Sequence, residues 1–61
     1  MEGLLREKLE ILLSQYKFEK GQAQNRMHDS SLKGNWDEAR TYDEKAKAYT
    51  WVIWDLRELL S

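Results

Sequence analysis

Cysteine and proline are both absent from this chain of 61 residues, and only three glycines are present. Without cysteine the chain forms no disulfide and no zinc–thiolate site, two of the means by which small domains are stabilised. Without proline, nothing in the sequence forbids long helices. A domain of this size buries only about 60% of the surface that its unfolded chain exposes. We therefore expect oligomerisation to supply part of the stability.

Long apolar runs and a strong net charge are also missing. The longest apolar run near the end, Trp51-Val52-Ile53-Trp54, is far shorter than the roughly 20 residues that cross a bilayer. Charged residues interrupt the start, so no secretory signal is predicted. Ten basic residues against eleven acidic ones give a net charge of −1, which exerts no bulk attraction for nucleic acid. We expect a cytoplasmic protein without a membrane partner.

The strongest break in the helical pattern lies at residues 33–35. Gly34 suits the left-handed position that ends a helix. Asn35 suits the N-cap of a following helix, and Glu38 completes a pattern typical of a capping box. These signals predict an all-α fold, a single domain over 1–61 that forms an antiparallel, coiled-coil-like two-helix hairpin. The predicted bounds are about 2–32 for helix 1, 33–35 for the turn and about 36–60 for helix 2.

Apolar residues in the second half of the chain alternate spacings of three and four, the heptad pattern of coiled coils. They are Ala39, Tyr42, Ala46, Tyr49, Ile53, Leu56 and Leu60. The facing stripe of the first half is predicted to contain Leu5, Leu9, Leu12, Tyr16, Ala23 and Met27. We predict that these residues form the intramolecular core. This core is expected to be thick and stable at the end that holds both termini, and thin near the turn.

A second apolar stripe lies on the opposite face of the first helix. Leu4, Ile11 and Phe18 are spaced by seven residues, about 180° from the core stripe at 100° per residue. Trp51 likewise points away from the core face of the second helix. A simple hairpin leaves these residues uncovered, so they predict an interface. Two interpretations stay open: a homo-oligomer, most simply a two-fold dimer that makes a four-helix bundle, or a docking face for a different protein.

Catalytic chemistry has little support in the sequence. The acidic residues have no histidine or nucleophile at helical spacing, and His28 with the adjacent Asp29 offers too few ligands for a metal. A two-helix hairpin also lacks the concave pocket that catalysis needs. We expect no enzymatic activity, no cofactor and no metal. The predicted function is a non-enzymatic protein–protein interaction module that acts as a homo-oligomeric bundle, as a small regulator or inhibitor of a host protein.

An alternative function is that of an RNA- or DNA-binding hairpin dimer. Basic residues near the turn are predicted to share one face that contacts phosphates, and this candidate set is Arg26, Lys33, Arg40 and Lys47. The slightly acidic composition argues against strong non-specific affinity.

Two resemblances bear on these expectations. The run Gly34-Asn35-Trp36-Asp37-Glu38-Ala39, followed by Ala46, resembles the turn and second helix of a tetratricopeptide repeat. The chain departs from that repeat at Asp43 and Met27 and contains no second copy, although such units need several copies for stability. The whole chain, with charged helices that end in the apolar-aromatic segment 49–60, is similar to small helical-hairpin proteins of phages and prophages of Gram-positive bacteria. That resemblance implies a mobile-element origin and a role in modulating a host protein.

Overall fold

Two helices make up the fold. The computed structural model describes the backbone of residues 2–61 and the side chains of residues 3–61. Helix α1 spans Glu2–Leu32 and helix α2 spans Trp36–Leu60. The helices pack against each other, and their Cα atoms extend over 49 × 14 × 12 Å. The predicted all-α, antiparallel two-helix hairpin is confirmed.

The turn closes through two backbone hydrogen bonds that satisfy carbonyls at the end of α1. The Asn35 N–H donates to the Ser30 carbonyl at 2.9 Å, and the Gly34 N–H donates to the Ser31 carbonyl at 3.0 Å. This pair of bonds is the Schellman motif, which requires one residue in the left-handed region. Gly34 is that residue, with φ of 74°. Glycine adopts this conformation without the steric cost that a Cβ brings.

The start of α2 differs in detail from the predicted capping box. The Asn35 carbonyl accepts a helical hydrogen bond from the Ala39 N–H at 3.0 Å, but the Asn35 side chain caps no backbone N–H. Its amide donates instead to the Glu38 carboxylate. Asp37 and Glu38 both lie in the first turn, where the helix dipole favours negative charge. The helix start is therefore held by charge and by the turn, not by a reciprocal cap.

The seam between the helices follows a heptad repeat on both sides. Its α2 side contains the predicted residues, of which Ala39, Ala46, Ile53 and Leu56 are buried, and Tyr42, Tyr49 and Leu60 are half-buried. Its α1 side is formed by Leu9, Leu13, Tyr16, Lys20, Ala23, Met27 and Ser30. Both series alternate steps of three and four, so they occupy the a and d positions of a heptad. Halfway along, the Tyr16 and Tyr49 rings pack with centroids 5.7 Å apart.

Two residues of the predicted core lie outside this seam. Leu5 is 60% exposed and Leu12 is 41% exposed, so their assignment to the intramolecular core is wrong for a single chain. Leu13 takes the place that the prediction gave to Leu12. A seam that alternates steps of three and four runs through Leu9 and Leu13, which moves Leu5 and Leu12 to the adjacent g positions on one flank.

Burial is uneven along the hairpin. Ala23, Ala39 and Ala46 are 4–6% exposed and lie in the half near the turn, whereas Ile53 and Leu56 are the buried aliphatic residues of the other half. Large apolar residues do gather at the end with the termini, but most of them remain on the surface. The expected thick core at that end is therefore only partly formed within one chain.

Candidate interaction surfaces

The outer stripe of α1, formed by Leu4, Ile11 and Phe18, is open to solvent. These side chains are 58%, 57% and 64% exposed. They occupy f positions, which point away from the partner helix in a two-stranded arrangement. Phe18 also lines a groove with Tyr42, Lys45 and Tyr49 of α2. The shallow groove beside Ile11 is lined by residues of α1 alone. The stripe therefore forms one edge of the hairpin.

Trp51 lies on the opposite edge. Its side chain is 73% exposed, and it occupies an f position of α2, counted from the buried seam residues Ile53 and Leu56. Because the f positions of two paired helices point in opposite directions, Trp51 does not extend the outer stripe. The expectation that both features form one local contact surface is wrong for a single chain. The hairpin instead carries the outer stripe on one edge and Trp51 on the opposite edge.

A further apolar surface, which we call the terminal flank, consists of Leu5, Leu12, Val52 and Leu59. All four are g positions, and in an antiparallel pair the g positions of both helices share one side. Leu59 is 67% exposed, and Val52 is half-buried. Leu5 and Leu59 line the same groove, together with the seam residues Leu9 and Leu60. The terminal flank is thus an aliphatic strip that borders the seam.

The same side of the hairpin becomes charged towards the turn. This turn flank consists of the g positions Glu19, Arg26, Glu38 and Lys45. Glu19, Arg26 and Lys45 line one groove with the seam residue Tyr42. The flank therefore changes from aliphatic to charged near the Tyr16–Tyr49 pair.

Within this groove, Arg26 packs against the Tyr42 ring. Its guanidinium carbon lies 5.9 Å from the centroid of the Tyr42 ring, within cation–π range. The adjacent Tyr42 side chain raises the pKa of Arg26 above its ordinary value, and Glu19 and Glu38 contribute less.

The structure divides the four basic residues predicted as a nucleic-acid face. Arg26 and Lys33 occupy g positions in the heptad register of α1, so they lie on the side of the turn flank. Arg40 and Lys47 are b positions of α2, which lie on the other side of the hairpin. Lys33 pairs with Asp29 at 3.1 Å, and Lys47 pairs with Asp43 at 3.0 Å. The expectation of one shared basic face is therefore wrong for a single chain.

Metal and membrane chemistry can be assessed over the described part of the chain. Among its side chains, no group of three or more histidine, cysteine or acidic residues is placed to hold a metal ion. Neither described helix is long and apolar enough to cross a membrane. What the surface offers chemically is apolar contact area and charge pairing.

Sequence reasoning missed the terminal flank and part of the seam. Leu13 and Leu59 each stand beside another leucine, at 12 and at 60, so an apolar pattern fits either residue of each pair, and Val52 lies within the apolar run 51–54. Lys20 and Ser30 are polar, so an apolar pattern does not select them. The signal for these residues is the strict alternation of three and four that begins at Leu9. Lys20 fits this pattern because the apolar stem of a lysine packs well at the margin of a seam.

Comparison with known proteins returned no match to this chain among family models, curated proteins or solved structures.

Proposed function

We propose that this protein is a non-enzymatic interaction module that acts as a homo-oligomeric helical bundle. The observation that carries the proposal is the number of large apolar side chains on its surface. Among residues 3–61, ten of them are more than two-fifths exposed, including every residue of the outer stripe, Trp51 and three residues of the terminal flank. A few scattered exposed apolar residues are ordinary on a protein surface, but contiguous apolar patches mark contact sites.

The exposed area supports the same proposal. A compact protein of 7.3 kDa exposes about 4,200 Å². This chain exposes 5065 Å², so the excess is roughly 900 Å². A standard protein interface buries about 800 Å² on each partner. Covering one face of the hairpin would therefore bring its exposed area to that of a compact protein.

The small core gives a physical reason for association. Three of the five buried apolar residues in the described range 3–61 are alanines, and alanine contributes little apolar area. Each large apolar side chain that becomes buried against a partner adds about 1.5–3 kcal/mol. Since the chain has no cysteine for a disulfide, a second chain is the direct source of additional burial.

Sedimentation equilibrium tests the oligomeric part of the proposal. The wild type, loaded from low to high micromolar concentration, should show a mass above that of one chain, and its melting temperature should rise with concentration. A monodisperse, fully helical monomer at high micromolar concentration would contradict the homo-oligomer.

The regulatory part of the proposal assigns a different protein, a cytoplasmic host protein, to the outer edges. Exposed aromatic residues such as Phe18 and Trp51 are typical anchors of protein contacts. Phe18→Ala and Trp51→Ala should each weaken capture of such a protein from host lysate. Gln24→Ala, a change at an exposed polar residue, is the matched control and should leave capture unchanged. Equal capture by all four proteins would contradict this role.

A further inference from the structure

We propose that the terminal flank is the surface on which a second copy of this chain docks, with the two hairpins side by side and their termini at the same end. The proposal rests on the homo-oligomer proposed above and adds the contact surface and the orientation of the partner. It assigns self-association to Leu5, Leu12, Val52 and Leu59, not to the outer stripe.

Pairing within one flank gives the first argument. In the antiparallel register, each g residue of α1 lies across from a g residue of α2 at the same height along the hairpin. Leu5 is level with Leu59 and Leu12 with Val52, followed by two pairs of opposite charge. These are Glu19 with Lys45, which line one groove together with Arg26, and Arg26 with Glu38.

Two-fold symmetry then determines what faces what between copies. With the two-fold axis parallel to the helices, α1 of one copy faces α2 of the other at equal height. Leu5 and Leu12 therefore meet Leu59 and Val52 of the second copy. Towards the turn, Glu19 meets Lys45 and Arg26 meets Glu38. Each of these four contacts is then apolar with apolar or acid with base, so the eight positions are complementary between the two copies.

The opposite orientation lacks this complementarity. If the axis is perpendicular to the helices and the copies overlap fully, α1 faces α1 of the second copy in reverse direction. About the midpoint of Glu2–Leu32, Leu5 would then face Asp29 and Arg26 would face Lys8. Burying aliphatic side chains against charges and placing like charges together both cost free energy. The structure therefore favours the orientation with both pairs of termini at one end.

The other flank does not offer an equivalent surface. Its e positions include Glu10, Lys17, Gln24 and Arg57, all exposed. Among residues 3–61, an aliphatic strip beside the seam is present only on the side of the terminal flank, where Arg6 also lines the groove. A four-helix bundle made from two hairpins buries one flank of each, because each helix then contacts two neighbours. Leu4, Ile11 and Trp51 remain on the outside of such a dimer, and Phe18 lies at the margin of the contact, in the groove of the turn flank.

A mixing experiment tests the docking surface. Glu19→Lys places lysine opposite Lys45 of the second copy, and Lys45→Glu places glutamate opposite Glu19. Each variant alone should dimerise about tenfold more weakly than wild type, because two like-charge contacts form across the axis. Mixed together, the two variants should form a heterodimer well above the statistical half, measured by native mass spectrometry. Both variants keep a like-charge pair within their own chain, so the preference reports contact between chains.

A matched control uses the other flank. Glu10→Lys and Lys17→Glu make the same changes of charge at e positions, and their mixture should show only the statistical proportion. If the turn-flank mixture also stays statistical while wild type is oligomeric, the docking surface is wrong and the homo-oligomer stands. If wild type is monomeric at high micromolar concentration, both fail together.

Orientation is tested by one distance. The chain has no cysteine, so Asp37→Cys introduces a single spin-label site in the first turn of α2. Side-by-side hairpins with termini together bring both turns to one end, and the label-to-label distance should be well below the 49 Å length of one hairpin. A distance close to that length would place the turns at opposite ends and overturn the proposal.

Discussion

The two helices pack differently in the half of the hairpin near the turn and in the half that holds the termini. Near the turn, alanines allow close helix contact, a Schellman motif closes the chain, and the flank carries charges. At the other end, leucines are more numerous than near the turn, and more of them are exposed than buried. The two halves therefore show that the apolar content of a segment and the burial of its side chains are separate properties. Within one chain, the half richer in apolar residues is the less complete half, and it is the half that a partner would finish.

The largest expected effect separates two neighbouring residues on this incomplete half. Leu12→Glu places a carboxylate in the proposed dimer contact twice, because of the two-fold axis. We expect the dimer dissociation constant to rise at least 100-fold, or about 2.7 kcal/mol. Ile11→Glu, on the outer stripe, should change it less than threefold. Sedimentation equilibrium of both variants measures the difference, and an equal loss in both would point to a contact broader than the terminal flank.

Amide hydrogen exchange compares the stability of the two halves without any substitution. In dilute solution, the amides of residues 4–15 should exchange faster than those of residues 21–31, because the monomer leaves the first segment uncovered. At high concentration, protection of the first segment should rise about tenfold or more, since the dimer stabilises it by mass action. Protection that is independent of concentration in both segments would show that the terminal half is complete by itself.

The turn half has its own critical residue. Gly34 holds φ of 74°, and a Cβ there would meet no other atom within 4 Å, so the cost of Gly34→Ala is conformational. We expect the substitution to lower the free energy of unfolding by about 1–2 kcal/mol. Gly34→Asn should lose less, because asparagine tolerates this region better. Urea unfolding at one fixed protein concentration measures both values. An unchanged stability for Gly34→Ala would mean that the turn relaxes to another conformation.

The smallest effect is expected at the boundary between the halves. Gly21 is an interior residue of α1, and a Cβ there has open space within 4 Å. Gly21→Ala should therefore raise the free energy of unfolding by about 0.5–1 kcal/mol, because alanine is the better helix former. Thermal unfolding followed by circular dichroism at fixed concentration provides the measurement. A loss of stability would indicate that another chain approaches the backbone closely at this point.

The helical hairpin could be predicted from the sequence alone. The absence of proline permits two long helices, Gly34 supplies the one left-handed residue, and the alternation from Ala39 to Leu60 defines the core face of α2. These features are local, and each acts within a few residues of its own position. The α2 residues predicted for the core accordingly lie in the seam, buried or half-buried.

The facing residues of α1 and the grouping of surface residues required the tertiary structure. Leu12 and Leu13 are equally apolar, and only the presence of α2 decides which of them enters the seam. Trp51 and the outer stripe have matching periodicity, yet the antiparallel arrangement sends them to opposite edges. The basic residues are divided for the same reason. A periodic pattern specifies the angle of a side chain about its own helix axis, whereas the neighbours of that side chain depend on where the second axis lies.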